Sequence, residues 1–157
     1  MWCIPAPGRV WRPYSTLQAR GIQVYGETCP HYLLLTRDDP AGVCAKVNPP
    51  LRRDEDIQRL WPGLREGTIT TVGTDHCTHQ RMVKEDGIWE ALPGFGSIGA
   101  TLHLLVSEGV NRGRIGWELL AKITSENAAR VFGLYPRKGV LSPGSDADIV
   151  VVDPGQE

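Results

Sequence analysis

Thr68-Ile69-Thr70-Thr71-Val72-Gly73-Thr74-Asp75-His76-Cys77-Thr78-His79 is the stretch on which the fold turns. Its first half is β-branched and uncharged, the composition of a strand buried on both faces rather than of an alternating, half-solvated one. Its second half gathers hydroxyls, a carboxylate, a thiol and imidazoles at the C-terminal end of that strand. Open parallel α/β sheets build their sites at that end.

Working upstream, residues 22–29 (Ile-Gln-Val-Tyr-Gly-Glu-Thr-Cys) are β-rich and stop at Pro30, which predicts a second strand delivering a loop, followed by a short extended stretch from Tyr32 to Leu35. Residues 43–47 lead into Asn48-Pro49-Pro50-Leu51-Arg52, where two prolines fix φ and remove donors, so a stiff extended loop is expected. Between Asp54 and Glu66, the residues Ile57, Leu60, Trp61 and Leu64 recur at helical spacing, with Gly67 as a stop. Pro62 conflicts with that helix, because proline in a regular interior costs about 3 kcal/mol, and a kink or division is expected there.

Downstream, residues 94–99 are a glycine-rich loop, and residues 100–108 form a mostly apolar helix closed near Gly109. A helix follows over residues 117–123, and Ser125-Glu126-Asn127 starts another that ends at Gly133. Residues 147–153 (Ala-Asp-Ile-Val-Val-Val-Asp) read as a strand after a Pro-Gly turn. Residues 1–16, with prolines at 5, 7 and 13 and no period of either kind, are expected to be irregular. Strand and helix alternate through the middle, which favours an α/β fold with parallel strands.

A chain of 157 residues, 41% hydrophobic and 22% charged, suits one soluble globular unit. Its formal net charge of −1 offers no basic field for nucleic acid or an anionic membrane surface, so neither is an expected partner. No apolar run suits a signal peptide or a membrane span, and a cytoplasmic location is expected. Cys3, Cys29, Cys44 and Cys77 include no CxxC pair, so they read as reduced thiols and not as a structural zinc site.

Taken in order and register, Gly26-Glu27-Thr28-Cys29-Pro30-His31-Tyr32-Leu33, Asn48-Pro49-Pro50-Leu51-Arg52, Gly73-Thr74-Asp75-His76 and Gly144-Ser145-Asp146-Ala147-Asp148-Ile149-Val150 resemble the C-terminal part of the cyclic amidohydrolases: hydantoinases, dihydropyrimidinases, allantoinases and dihydroorotases. The resemblance implies part of a metal-dependent hydrolase TIM (β/α)8 barrel over residues 17–134. It also implies a closing segment, residues 135–157, whose strand belongs to a small β-sandwich domain. One or two divalent ions, usually zinc, would activate a hydroxide for attack on a cyclic amide, because unassisted water has too high a pKa.

Asp75 falls where such a barrel's last strand carries the aspartate that ligates metal and shuttles the proton; from spacing alone it reads equally as a cap on the following turn. Asn48 and Gly94 match positions whose backbone groups hold the ring amide. His79 stands where dihydroorotases carry a histidine for the substrate carboxylate, whereas Cys77 follows the hydantoinase pattern, so the ring stays unnamed. Cys29 and His31 could coordinate zinc in principle, but the family pattern gives His31 a structural place beside the pocket. His76 is ambiguous, and His103 reads as a core or surface histidine.

A complete relative adds a His-x-His pair, a bridging lysine and two further histidines, none of which this sequence shows. A full barrel takes at least about 200 residues. A truncated or split enzyme is therefore expected, partnered by its complementing N-terminal half or by copies of itself; the competing reading is a catalytically inactive assembly module.

Overall fold

The computed structural model describes residues 2–3, 11–84 and 87–155. Three strands, β1 (Trp2–Cys3), β2 (Gly26–Thr28) and β3 (Thr71–Val72), form one parallel sheet in the order of the chain. Cys3 stands opposite Glu27, and Glu27 opposite Thr71. The ladder runs on past the short strands: the Thr70 N–H donates to the Gly26 carbonyl at 2.7 Å, and the Gly73 N–H to that of Thr28 at 2.9 Å. Parallel neighbours require long crossovers, and helices supply them.

The first crossover uses α1 (Trp11–Ala19), so residues 11–16 are helical where irregular chain is expected; residues 4–10 lie outside the described residues. Gly21, at φ 75°, closes α1: its N–H bonds to Gln18 O and the Ile22 N–H to Leu17 O, the paired bonds of a Schellman motif. After β2, residues 30–34 also depart from expectation. They form the short helix α2 (Pro30–Leu34), not an extended stretch, because Pro30 occupies the first helical position, where its missing N–H costs nothing.

The helix α3 (Asp54–Arg65) passes through Pro62 unbroken. The bond lost there belongs to the carbonyl of Gln58, an exposed residue, while the opposite face buries Ile57, Leu60, Trp61 and Leu64. That burial, about 1.5–3 kcal/mol for each large apolar side chain, outweighs the proline cost. At its start the Arg53 N–H donates to Asp56 Oδ2 at 3.3 Å, half of a capping box.

Helix α4 (Thr101–Leu104) continues in wider i→i+5 turns over Leu105–Asn111, past Gly109. A Cβ on Gly109 would stand 3.1 Å from the Ile115 side chain and 3.3 Å from that of Trp61, so glycine there permits close packing rather than a stop. α5 (Trp117–Ala121), wide turns over Lys122–Glu126 and α6 (Asn127–Val131) follow without a break. No new helix begins at Ser125. The Thr124 hydroxyl donates back to Leu120 O at 2.7 Å, and the Asn127 amide donates to Thr70 O at 2.7 Å, tying α6 to β3. Leu33, Leu64, Ile69, Leu105 and Ile123 fill the core between sheet and helices.

Residues 147–153 form no strand ladder among the described residues, and Ile149, Val150 and Val151 face solvent. No helix among the described residues is long and apolar enough to cross a membrane.

Candidate functional site

The C-terminal ends of β2 and β3 carry the chemistry. β2 ends at Thr28 and passes directly into Cys29 and His31; β3 ends at Val72, three residues before Asp75. Asp75 is the one non-glycine residue with positive φ, 47°, among the described residues. Aspartate tolerates this left-handed region better than most residues. Its carboxylate lies with its Oδ2 3.8 Å from His31 Nε2 and is about half exposed.

His31 is 4% exposed, packed against the rings of Tyr32 and Phe95 at centroid distances of 4.1 and 5.1 Å. Neither of its ring nitrogens has a hydrogen-bond partner among the described residues. Burial lowers its pKa, against the opposing pull of Asp75, so the imidazole is held neutral. Cys29, 1% exposed, completes a trio: one donor atom each from Cys29, His31 and Asp75 lie within 4.8 Å of one another. Glu27 lies behind them. Its carboxyl is raised above the ordinary value chiefly by burial and further by Asp75, while the Thr71 hydroxyl, 3.3 Å away, pulls it down.

The loop after Asp75 is fastened from several sides. His76 Nδ1 accepts the N–H groups of Ser97 at 3.0 Å and Ile98 at 3.2 Å, so the ring proton sits on Nε2, 2.8 Å from the Thr78 hydroxyl. The Ser97 hydroxyl donates to Thr74 O at 2.5 Å. The buried Lys84 ammonium donates to the carbonyls of Lys46, Leu92 and Gly94 at 3.0, 3.1 and 2.7 Å.

The other sequence-derived candidates fall into one group around this loop. Cys77 Sγ is 3.1 Å from His79 Nε2, which is also 3.1 Å from Pro93 O. A carbonyl only accepts, so His79 carries its proton on Nε2, turned inward; Nδ1 can donate to a carboxylate only when the ring is doubly protonated. Gly94, at φ 104°, packs so tightly that a Cβ would come within 2.7 Å of Cys77 Cβ. Its N–H is given to Lys46 O at 2.9 Å and its carbonyl already receives Lys84, leaving one carbonyl lone pair. Asn48 is exposed, and the Tyr32 hydroxyl holds the following residue by donating to Pro49 O at 2.7 Å. His103 is exposed on α4. A surface groove lined by Thr36, Arg37, Lys46, Pro50 and Ile88 includes none of Cys29, His31 and Asp75.

Lys84 and Glu27 do not stand out in the sequence. A lone lysine carries no local signal of burial, and Glu27 sat inside a motif read for its neighbours. For a divalent ion the donors present fit in kind: a thiol, a buried imidazole with neither nitrogen partnered among the described residues and a carboxylate are all zinc ligands.

A parallel β/α segment whose strand ends bear this cluster defines a class, and the comparison with known proteins gives it a name. The chain belongs to the amidohydrolase family, whose profile matches residues 6–157. Within that family it is 43% identical over 140 residues to the D-phenylhydantoinase of Escherichia coli O1:K1 / APEC, covering 85% of this chain and 30% of the relative. Its fold matches dihydropyrimidinase from Brevibacillus agri NCHU1002 with a TM-score of 0.84 and 33% identity, over 92% of this chain and 33% of that one. L-Hydantoinase from Arthrobacter aurescens matches with a TM-score of 0.82 and 38% identity, over 87% and 32%. The chain thus spans about a third of the length of the relatives it matches.

Proposed function

We propose that β1, β2 and β3 are the last three strands of a hydantoinase-type TIM barrel and that the assembled barrel opens cyclic amides by hydrolysis of a ring carbon–nitrogen bond. The observation that carries this reading is Asp75: a carboxylate just past the end of the third parallel strand, beside a buried imidazole, in a chain 43% identical to a D-phenylhydantoinase. With β1 and α1 counted in, the barrel part begins before residue 17 and runs to about residue 134, and residues 135–157 lead toward a small β-sandwich domain, where residues 147–153 would find strand partners.

A divalent ion, zinc in this reading, would be held in part by Asp75 and would supply Lewis acidity, enough to bring the pKa of water to about 7. Asp75 carries the proton from the attacking water to the ring nitrogen as the carbon–nitrogen bond breaks. The Asn48 backbone and the free lone pair of the Gly94 carbonyl orient the ring amide. Cys77 and His79, locked to each other and to Pro93, shape the wall against which the ring substituent lies. The substrate is a hydantoin, dihydropyrimidine, allantoin or dihydroorotate type of ring; the partner is the N-terminal portion of the barrel or further copies of the chain, in the cytoplasm.

The test is to combine the purified chain with the N-terminal two thirds of the E. coli D-phenylhydantoinase and zinc, and assay phenylhydantoin, dihydrouracil, allantoin and dihydroorotate. Ring opening of at least one, absent from either part alone, is expected. No turnover by a stably assembled complex would refute the proposal.

A further inference from the structure

We propose that Cys29, His31 and Asp75 form a mononuclear site for a zinc-like divalent ion that this chain assembles without any other part of a barrel. Two features converge on it. The donors are brought together by two different strand ends, β2 supplying Cys29 and His31 and β3 supplying Asp75, so the parallel pairing of Glu27 with Thr71 fixes their spacing. His31 is 4% exposed, yet among the described residues neither of its nitrogens has a hydrogen-bond partner, and Nε2 faces the Asp75 carboxylate. Burying an imidazole with neither nitrogen satisfied costs about 1–3 kcal/mol, a cost that a bound cation would remove.

The dimensions fit. In a tetrahedral zinc site with Zn–N and Zn–O near 2.0–2.2 Å and Zn–S near 2.3 Å, neighbouring donor atoms stand about 3.3–3.6 Å apart. His31 Nε2 and Asp75 Oδ2 are 3.8 Å apart, and the whole trio lies within 4.8 Å, so closure on an ion needs shifts on the order of an ångström or less. Most of that movement can come from Asp75, about half exposed, while Cys29 and His31 are fixed in the core. The exposed side of Asp75 also gives the ion its way in and leaves the fourth position facing solvent. Three protein donors with one open position is the pattern of catalytic rather than structural zinc. A thiol, an imidazole and a carboxylate together favour zinc or cobalt over magnesium or calcium, which take oxygen donors. Cys29 releases its proton to solvent on binding.

This site shares Asp75 with the proposed ring-opening reaction but does not depend on it, since the ion would bind whether or not any ring is opened. The experiment therefore reads metal directly. The purified reduced chain is titrated with Co²⁺ and then with Zn²⁺, following the thiolate-to-cobalt charge-transfer band and measuring bound zinc by elemental analysis. One ion per chain is expected, with a charge-transfer band that zinc abolishes. Cys29→Ser should remove the band, and His31→Gln should weaken zinc binding more than about 100-fold, since even outer-shell losses cost 10–100-fold. Asp75→Asn, a change at a half-exposed position that leaves the core untouched, should weaken it at least about 10-fold with unchanged circular dichroism. Cys77→Ser should leave the band intact. A band lost in Cys77→Ser and kept in Cys29→Ser, or a folded chain that binds no zinc at micromolar concentrations, would overturn the site. Failure of ring opening with this signature present would instead count against the proposed reaction alone.

Discussion

Residues 68–73 and residues 147–153 are both rich in β-branched side chains, yet one run is core and the other is surface. Ile69 is fully buried and Val72 is 8% exposed, whereas Val150 is 71% and Val151 91% exposed. The difference does not lie in local preference, since Ile-Val-Val-Val has as much strand propensity as Thr-Ile-Thr-Thr-Val. It lies in partners: the first run has β2 on one side, α6 reaching Thr70 through Asn127, and helices over its face. Among the described residues the second has no strand partner and is tied near its start, where Lys138 bridges Asp146 and Asp148. Strand propensity thus describes fitness for a pleated surface that something else must supply.

The contrast is broken most forcefully at Ile69. Ile69→Ala should cost about 2–5 kcal/mol in urea unfolding, the range for emptying a well-packed aliphatic site, with the midpoint shifted and the slope unchanged. A loss below about 1 kcal/mol would mean that the run 68–73 is not central to the core. Next comes Gly73→Ala, whose new Cβ would stand 2.8 Å from the Glu27 carboxyl. Overpacking of this kind costs about 1–3 kcal/mol. Shortening the neighbour in the Glu27→Ala/Gly73→Ala double variant should recover much of the loss, a non-additivity readable in a thermodynamic cycle.

Lys84→Met acts from the loop side. It removes the donor that three carbonyls share and should cost about 1–3 kcal/mol. Hydrogen exchange should show the loss of protection concentrated in residues 77–97 and not in β3. The smallest effect is expected in the tail: Val151→Ala should change stability by less than about 0.5 kcal/mol in the isolated chain, as for other surface positions. If a barrel partner covers the tail, the same variant becomes costly in the complex.

How far the sequence was legible follows the same division. β3 and the polar cluster after it were readable because a buried parallel strand is a continuous apolar run with an abrupt polar end. α3 was readable from its period, and its passage through Pro62 was not, because the cost of a proline is local and the burial that outweighs it is not. Pro30 both ends a β-rich run and starts a helix, since proline is equally suited to either position. In the tail, composition indicated a strand where pairing was required. At the site, Asp75 and His31 were each visible as residues, but their approach to 3.8 Å depends on the register between β2 and β3, which no linear pattern carries. The bonds that commit the N–H of Gly94 and the Nε2 proton of His79 arise likewise from loop closure between distant segments.

The proposed role of Asp75 at the end of β3 is read from the rate of ring opening in the chain complemented with the N-terminal portion of a hydantoinase, wild type against Asp75→Asn at equal assembly. A fall of at least about 10²-fold is expected, the scale for removing a group that transfers a proton in the reaction. An Asp75→Asn complex that turns over at the wild-type rate would contradict it.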